Sequence, residues 1–269
     1  AARKWLAARG MKRMRGPLSL YVNDEIGTLI EGFEHPPAIM MPHSRPWQDR
    51  VAHAAGLEKA KDLLAWRYSV GNINKRSRKA WEDIHRLPEI RMRTVDLGDI
   101  QREVEIIMDV YNDAWEGQWA VVPALPDEVA KVAQDLKLIL VPDLAFIAEL
   151  DGRPVGMCIA LPNLNEVTRD LNGKLLPLGW AKLLWRLKVR GPKSGRLMML
   201  GIRKELRGVR KYGGLSMAMY VEIARRAERL GYTWGELSWT REDAGPISAG
   251  ILAMGARVYK KYRVYERDV

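Results

Sequence analysis

The stretch RLMMLGIRKELRGVRKYGGLSMAMYVEIARRAERLG, residues 196–231, holds the residues best placed to do chemistry. An apolar run, Leu197 to Ile202, leads into a turn rich in Arg and Gly, and a long amphipathic helix follows, ending at Gly231. Strand, tight basic loop and helix N-terminus together make an anion site, because unpaired N–H groups and the positive helix end converge on a phosphate. Gly208, Gly213 and Gly214 bring the backbone close to such a ligand, with Tyr212 beside them. Arg207, Arg210 and Lys211 add positive charge.

Composition narrows the partners. The chain has 269 residues, 47% of them hydrophobic, enough for a buried core and one to two domains. A formal net charge of +11 calls for an anionic partner: nucleic acid, acidic lipid or a phosphorylated cofactor. Two Phe accompany ten Trp, an unusual aromatic balance. The lone Cys158 excludes intrachain disulfides and a Cys-based zinc site, fits a reducing compartment, and lies in the apolar stretch Val155 to Leu161 as a strand residue. His35, His43, His53 and His85 are scattered without metal-binding spacing, so no metal is expected. No apolar stretch nears the ~20 residues that span a bilayer, and no signal peptide is recognisable. The chain opens AARKWLAARG without Met, which reads as a processed or truncated product.

The two ends of the chain look like copies. ARKWLAARGMKRMRGPLSLYVNDE lies on ARRAERLGYTWGELSWTRED, with Gly10 on Gly231 and Leu18-Ser19 on Leu237-Ser238. RVAHAAGLEKAKDLLAWRY lies on GILAMGARVYKKYRVYERD, with Gly56 on Gly255 and Trp66 on Tyr265. Each copy reads helix, strand, connection, short helix, Gly, strand. Residues 72–89 are basic and polar with helical spacing from Arg76 to Leu87, and read as a helical connector. Beyond them come a strand at 90–96, a helix from Ile100 to Trp115, and a helix from about Asp127 to Leu138. DLAFIAELDGRPVGMCIALP is a hairpin about Asp151 to Pro154, and WGELSW and ARVYKKYRVYE are further strands.

The segment LPLGWAKLLWRLKVRGPKSGR, 176–196, is a basic amphipathic helix. Trp180, Leu183, Leu184 and Leu187 form one face, Lys182, Arg186 and Arg190 another, and Trp185 borders them. That pattern fits a helix lying in a membrane interface, and equally one packed on the protein's own core. Each cation near an anionic leaflet would contribute about 1 kcal/mol. No nucleic-acid motif accompanies the basic residues, so an anionic membrane surface is the expected partner and nucleic acid is not.

The 196–231 unit resembles the pyrophosphate loop of the GNAT acyltransferase superfamily, which binds acyl-CoA. The superfamily pattern is Arg/Gln-x-x-Gly-x-Gly/Ala; here Arg210 and Gly213 match, and Leu215 departs from it. The element order over 90–269 is also the GNAT order. The resemblance implies an α/β (α+β) fold, a GNAT-type mixed sheet flanked by helices. It further implies that 1–71 is the C-terminal half of a first GNAT-like domain, 72–89 a connector and 90–269 a complete domain. NDEIGTLIEGFEHPP, FIAELDGRPVGMCIALPNLNE and LGIRKELRGVRKYGG narrow the resemblance to tandem-GNAT-like proteins similar to bacterial ceramide synthases.

The resemblance implies roles. Acyl transfer to an amine needs amine deprotonation, polarisation of the thioester and protonation of the thiolate. In the superfamily, backbone N–H groups before the loop hold the thioester carbonyl, here Leu200, Gly201 and Ile202. The usual acid, a Tyr four residues before the last short helix's Gly, is replaced by Ile251, leaving Tyr220 or Tyr259 as stand-ins. Glu236, Glu242 and Asp243 lie on or after the strand that splays from its neighbour; Glu242, at its C-terminal end, is the expected base and Glu166 the alternative. Asn163, Asn165, Trp115, Trp119 and Trp239 would line the acceptor side. The implied activity is N-acylation of a sphingoid-type amine from a long-chain acyl-CoA, in the cytoplasm and peripheral on the inner membrane. An N-acetyltransferase of a small-molecule or protein amine, and a non-catalytic acyl-CoA or lipid-binding protein, are the alternatives.

Overall fold

The structure is a computed structural model that describes residues 1–19, 25–121 and 139–269. The expected helix at 127–138 lies outside the described residues. Strands β1 (Arg13–Gly16), β2 (Thr28–Glu31) and β3 (Glu58–Ser69) come from the first part of the chain, with helices α1 (Ala2–Ala7) and α2 (Trp47–Ala54). Helix α3 (Lys75–His85) follows, then β4 (Ile90–Thr94), α4 (Ile100–Trp115) and the hairpin β5 (Ala145–Leu150) and β6 (Arg153–Pro162). Short helices α5 (Leu164–Thr168) and α6 (Gly179–Trp185) lead to β7 (Ser194–Ile202), α7 (Leu215–Arg229), β8 (Trp234–Arg241), α8 (Gly245–Ala253) and β9 (Arg257–Asp268).

All nine of these strands join one mixed sheet, in the order β1-β9-β3-β8-β7-β6-β5-β4 with β2 also on β9. Every pairing is antiparallel except β7 with β8. The expected sheet flanked by helices is therefore present. Residues 1–71 share that sheet with 90–269, since β3 is inserted between β8 and β9. The register of this insertion is symmetric. Glu58 faces Glu266 and Arg67 faces Arg257, so the offset that lays Trp66 on Tyr265 carries one pair onto the other. The glycines matched between the two stretches also share a conformation: φ is +70° at Gly10, +80° at Gly231, +72° at Gly56 and +92° at Gly255. Each follows a helix in the left-handed region that glycine reaches without Cβ conflict.

The segment expected as a connector holds a docked helix. Asn74 caps α3 by accepting from the Ser77 N–H at 2.9 Å, and Ile84 is buried. The Trp81 indole N–H donates to Glu222 on α7 at 2.8 Å, and the Arg225 guanidinium stacks on the same indole. One apolar core lies between the sheet and the α3–α7 layer, around Phe146, Leu215, Met219 and Ile223. A second lies on the other face, where Ile26, Leu29, Tyr259 and Tyr262 meet Trp119 and Trp239. Burying a side chain of this size contributes roughly 1.5–3 kcal/mol.

Candidate functional site

Strands β7 and β8 pair only from Ser194–Arg196 to Trp234–Glu236, although both run on. Beyond the Arg196–Glu236 pair they are no longer hydrogen-bonded to each other, which leaves a wedge bounded by Leu197–Ile202 and Leu237–Arg241. Just past its apex β7 carries a bulge: Ile159 faces Met199 and Ala160 faces Leu197, so Met198 has no partner in the ladder. Such an extra residue turns a backbone N–H out of the sheet, next to where Leu200, Gly201 and Ile202 continue the strand.

The loop after β7 is fastened to α4. The Arg203 side chain pairs with Asp109 and donates to the Pro154 carbonyl at 2.9 Å. The Lys204 N–H donates to Asp113 at 2.7 Å, and its ammonium pairs with Glu116. Arg207 points inward, donating to the Ala114 carbonyl at 2.6 Å and to that of Ile202 at 3.2 Å. Lys211 pairs with Glu89 at 2.5 Å, which holds that carboxyl below its ordinary range. Among the described residues Arg210 has no ion pair, and Gly208 (φ +80°) and Gly213 are exposed. Helix α7 begins at Gly214 without a side-chain cap, so its first N–H groups are free for an anion. The loop thus offers Arg210, two open glycines and a helix N-terminus, while Arg207 and Lys211 are spent on shaping it.

The aromatic residues gather on the α4 side of the wedge. Trp115 stacks on Tyr111 with centroids 4.9 Å apart, and its ring lies against Gly201 so closely that a methyl there would overlap it. Trp119 and Trp239 pack in the Tyr259–Tyr262 core, with the Arg15 guanidinium 4.8 Å from the Trp119 ring. The three tryptophans expected around the acceptor therefore lie on one side.

The carboxylates expected as bases do not join them. Glu242 binds Lys59 at 2.7 Å and accepts the Asp62 N–H at 3.1 Å, so both its oxygens are engaged beside β3. Glu166 accepts the N–H groups of Lys193 and Ser194 at 2.9 Å each and the Ser194 hydroxyl at 2.5 Å. Asn163 accepts from Ile39 N–H at 3.1 Å, and Asn165 donates to the Pro37 and Ala38 carbonyls at 3.2 and 3.1 Å. Together they seat the segment 36–40 against the start of β7. Tyr220 lies on α7, on the opposite face of the sheet, where burial pushes its phenol up.

Two residues named from the sequence, Glu236 and Tyr259, meet Arg196 and Lys260 in a buried group at the apex, an association no local pattern shows. Glu236 is fully buried and accepts from the Tyr259 hydroxyl; the Arg196 Nε lies 3.3 Å from its other oxygen. Arg196 donates to the carbonyls of Ile39 at 2.7 Å and Met40 at 2.8 Å and to the Ser238 hydroxyl at 3.0 Å. Lys260 donates to the Pro36 carbonyl at 2.9 Å, and burial lowers its ammonium to about 8. Ser238 itself sits at φ +54°, a strained conformation for a residue with a Cβ. The available signal was a charge at an inward position of an apolar strand: Arg196 before LMMLGI, and Glu236 within WGELSW.

No family model matches the chain. Over 271 residues it is 34% identical to the protein YghO of Escherichia coli, covering 100% of this chain and 69% of that one. Over 269 residues it is 36% identical to a bacterial ceramide synthase of Caulobacter vibrioides, covering 99% and 70% respectively. In fold it matches a tandem GNAT protein from the clavulanic acid biosynthesis pathway, with a TM-score of 0.53, 11% identity, and coverage of 99% of this chain and 67% of that one. The chain belongs to the family of these two relatives, and its fold is that of the GNAT proteins.

The segment between β6 and β7 of this GNAT-fold chain is laid out as a surface feature. Helix α6 runs from Gly179 to Trp185 and continues as one wide turn from Arg186 to Arg190. Leu176 is 80% exposed and Val189 70%, and Leu178, Trp180 and Trp185 are more than half exposed. Leu183 and Leu187 are half-buried. Lys182 and Arg186 pair with Asp170, which holds that carboxyl below its usual range, and Arg186 also donates to the Val167 carbonyl at 2.7 Å. Two of the three expected membrane cations thus fasten the helix to Asp170 just after α5, whereas Arg190 is exposed. Among the described residues, no helix is long and apolar enough to cross a membrane, and no group of His, Cys, Asp and Glu is placed to hold a metal.

Proposed function

We propose that this GNAT chain transfers a long-chain acyl group from CoA to the primary amine of a sphingoid-type lipid at an anionic membrane surface. The observation that carries the lipid acceptor is the solvent-facing set Leu176, Leu178, Trp180, Trp185 and Val189, on the segment that leads directly into β7. A soluble protein rarely exposes such a contiguous apolar set without a partner. Arg190 within it and Lys193 beside it favour an anionic leaflet. The relative named a ceramide synthase supports the same acceptor class. The chain would then work from the cytoplasmic side as a peripheral protein.

In this reading Arg210, Gly208, Gly213, Gly214 and the open end of α7 take the CoA diphosphate, with Tyr212 and the clamped Arg207 and Lys211 shaping the loop. The thioester lies in the wedge, its oxygen facing N–H groups between the Met198 bulge and Ile202. Such donors stabilise the charge that develops on the oxygen as the amine attacks. Trp115, Trp119 and Trp239 wall the acceptor side. Asn163 and Asn165 act by holding the segment 36–40, Glu166 by fixing the start of β7, and Glu242 by pairing the end of β8 with β3. The symmetric register of β3 and β9 and the tandem GNAT neighbour support reading 1–71 as the second half of a first GNAT-like unit, 72–89 as its connector and 90–269 as a complete one.

One observation favours the acetyltransferase alternative. The apolar cavity under the apex, between α7 and the sheet, measures about 50 Å³ and is lined by Leu197, Leu237, Tyr220, Ile223, Ala224 and Met254. On that measure a water-sized group takes about 10–15 Å³, so there is room for a short acyl group.

Vesicle binding separates the two. The chain should bind vesicles containing anionic lipid, and release them as the Debye length falls from ~10 Å at 0.1 M salt to ~3 Å at 1 M. Leu176→Ser with Leu178→Ser and Trp180→Ser should remove most of that binding. These changes should also lower activity on a membrane-borne amine about tenfold more than on a short soluble analogue, the scale of 1.4 kcal/mol. Equal loss on both amines, or no vesicle binding, would favour the acetyltransferase.

A further inference from the structure

We propose that the Tyr259 hydroxyl, backed by Glu236, carries the proton of the reaction: it takes it from the attacking amine and returns it to the departing thiolate. The inference rests on the acyltransfer reading of the wedge and assigns its missing proton path. Arg196 and Glu236 are the last paired residues before β7 and β8 part, so they mark the wedge's apex. Tyr259 stands beside Trp239 and Trp119 in the core on the acceptor side and donates its hydroxyl proton to Glu236.

The hydrogen-bond pattern is not that of a structural ion pair. A buried Arg–carboxylate pair normally closes as a two-pronged fork, which satisfies both oxygens. Here both terminal nitrogens of Arg196 are turned to the segment 39–40 and to Ser238. Only Nε faces Glu236, and neither that Nε nor Glu236 Oε1 has a hydrogen-bond partner among the described residues. A buried carboxylate so incompletely satisfied is costly to the fold and is characteristic of functional positions.

The groups around the pair come from every neighbouring element: Arg196 on β7, Ser238 on β8, Lys260 and Tyr262 on β9, and Arg67 on β3, with Glu34 and His35 from the segment over them. The His35 ring lies 5.3 Å from that of Tyr259. Burial raises the Glu236 carboxyl, while Arg196, the Tyr259 hydrogen bond and Lys260 oppose the rise. A carboxylate of raised basicity accepts a proton readily and gives it up again.

The step balances with no further reactant. The amine nitrogen attacks the thioester carbon, forming C–N, and gives a proton to the Tyr259 oxygen as the Tyr259 proton moves to Glu236. The C–S bond then breaks, and the reverse double hop delivers one proton to sulfur. One relay thus serves both directions, which suits a site where buried Ile251 stands in the place of the usual acid. Tyr259 is the catalytic residue and Glu236 the positioning residue behind it.

The test uses the full chain, a C16 acyl-CoA and a long-chain amine. Tyr259→Phe should lower kcat by about a hundredfold or more with KM changed by less than about threefold, and should leave acyl-CoA binding intact. Glu236→Gln should flatten the acidic limb of the kcat–pH profile; if it does not fold, Glu236→Asp should retain that limb and displace it. A Tyr259→Phe chain that keeps kcat and the pH profile overturns the relay while leaving the acyltransfer reading standing. A wild-type chain that binds acyl-CoA yet acylates no amine overturns both.

Discussion

Gly213→Val should weaken acyl-CoA binding by roughly a hundredfold, the equivalent of about 2.7 kcal/mol. Gly213 is exposed at the end of the basic loop, with φ −59° and only the Arg210 and Val209 carbonyls near a Cβ, at 3.5 and 3.7 Å. Valine is therefore accommodated by the fold, and its methyl groups project where a diphosphate would meet the N–H groups of α7. Gly214 is a poorer site for the experiment, because a Cβ there lies 3.6 Å from Ile84 and 3.7 Å from Ala80 on α3. A branched side chain at that position would disturb packing as well as the ligand. Calorimetric titration of the Gly213 variant with acyl-CoA, at unchanged melting temperature, is the measurement. Unchanged affinity would place the diphosphate elsewhere.

Arg196→Met should destabilise the chain by about 3–5 kcal/mol, the cost of leaving a buried charge without its partner. The guanidinium is 2% exposed, and its removal strands Glu236 together with the Ile39 and Met40 carbonyls. Urea unfolding at neutral pH would read the loss as a fall in the midpoint at constant slope. Adding Glu236→Gln should restore part of it, because the two sites are coupled rather than additive. A loss under about 1 kcal/mol would mean that water, and not Arg196, satisfies these groups.

What the sequence made legible is what it writes locally. The run Leu197 to Ile202, the Arg- and Gly-rich turn and the helical period beyond it are contiguous, and they became β7, the loop and α7. Helix α4 took the expected bounds because its apolar residues recur at helical spacing. The hairpin likewise formed about its Asp-Gly turn. Partnership across long separations was not legible. Arg196 donates to Ile39, 157 residues away, and β3 enters the sheet beside β9, far along the chain. No local pattern reveals that Glu166 would be occupied by Ser194 and Lys193, or that Lys182 and Arg186 would meet Asp170. Expecting those side chains to face a ligand overlooked the backbone donors and countercharges that the fold brings to them. Glu236 lay within the group of candidate carboxylates, but its position at the apex depends on where β7 stops pairing.

The proposed reaction is amide formation from a long-chain acyl-CoA and a lipid amine. Its most direct test is mass-spectrometric measurement of kcat/KM for the wild-type chain, pairing C16 acyl-CoA or acetyl-CoA with a sphingoid-type amine or a small soluble amine. Each buried methylene is worth about 0.8 kcal/mol, so even four engaged methylenes would favour the long chain by roughly a hundredfold. The C16 and sphingoid pair should be turned over at least about that much more efficiently than acetyl-CoA with the small amine. Preferred transfer of acetyl to the small amine would contradict it.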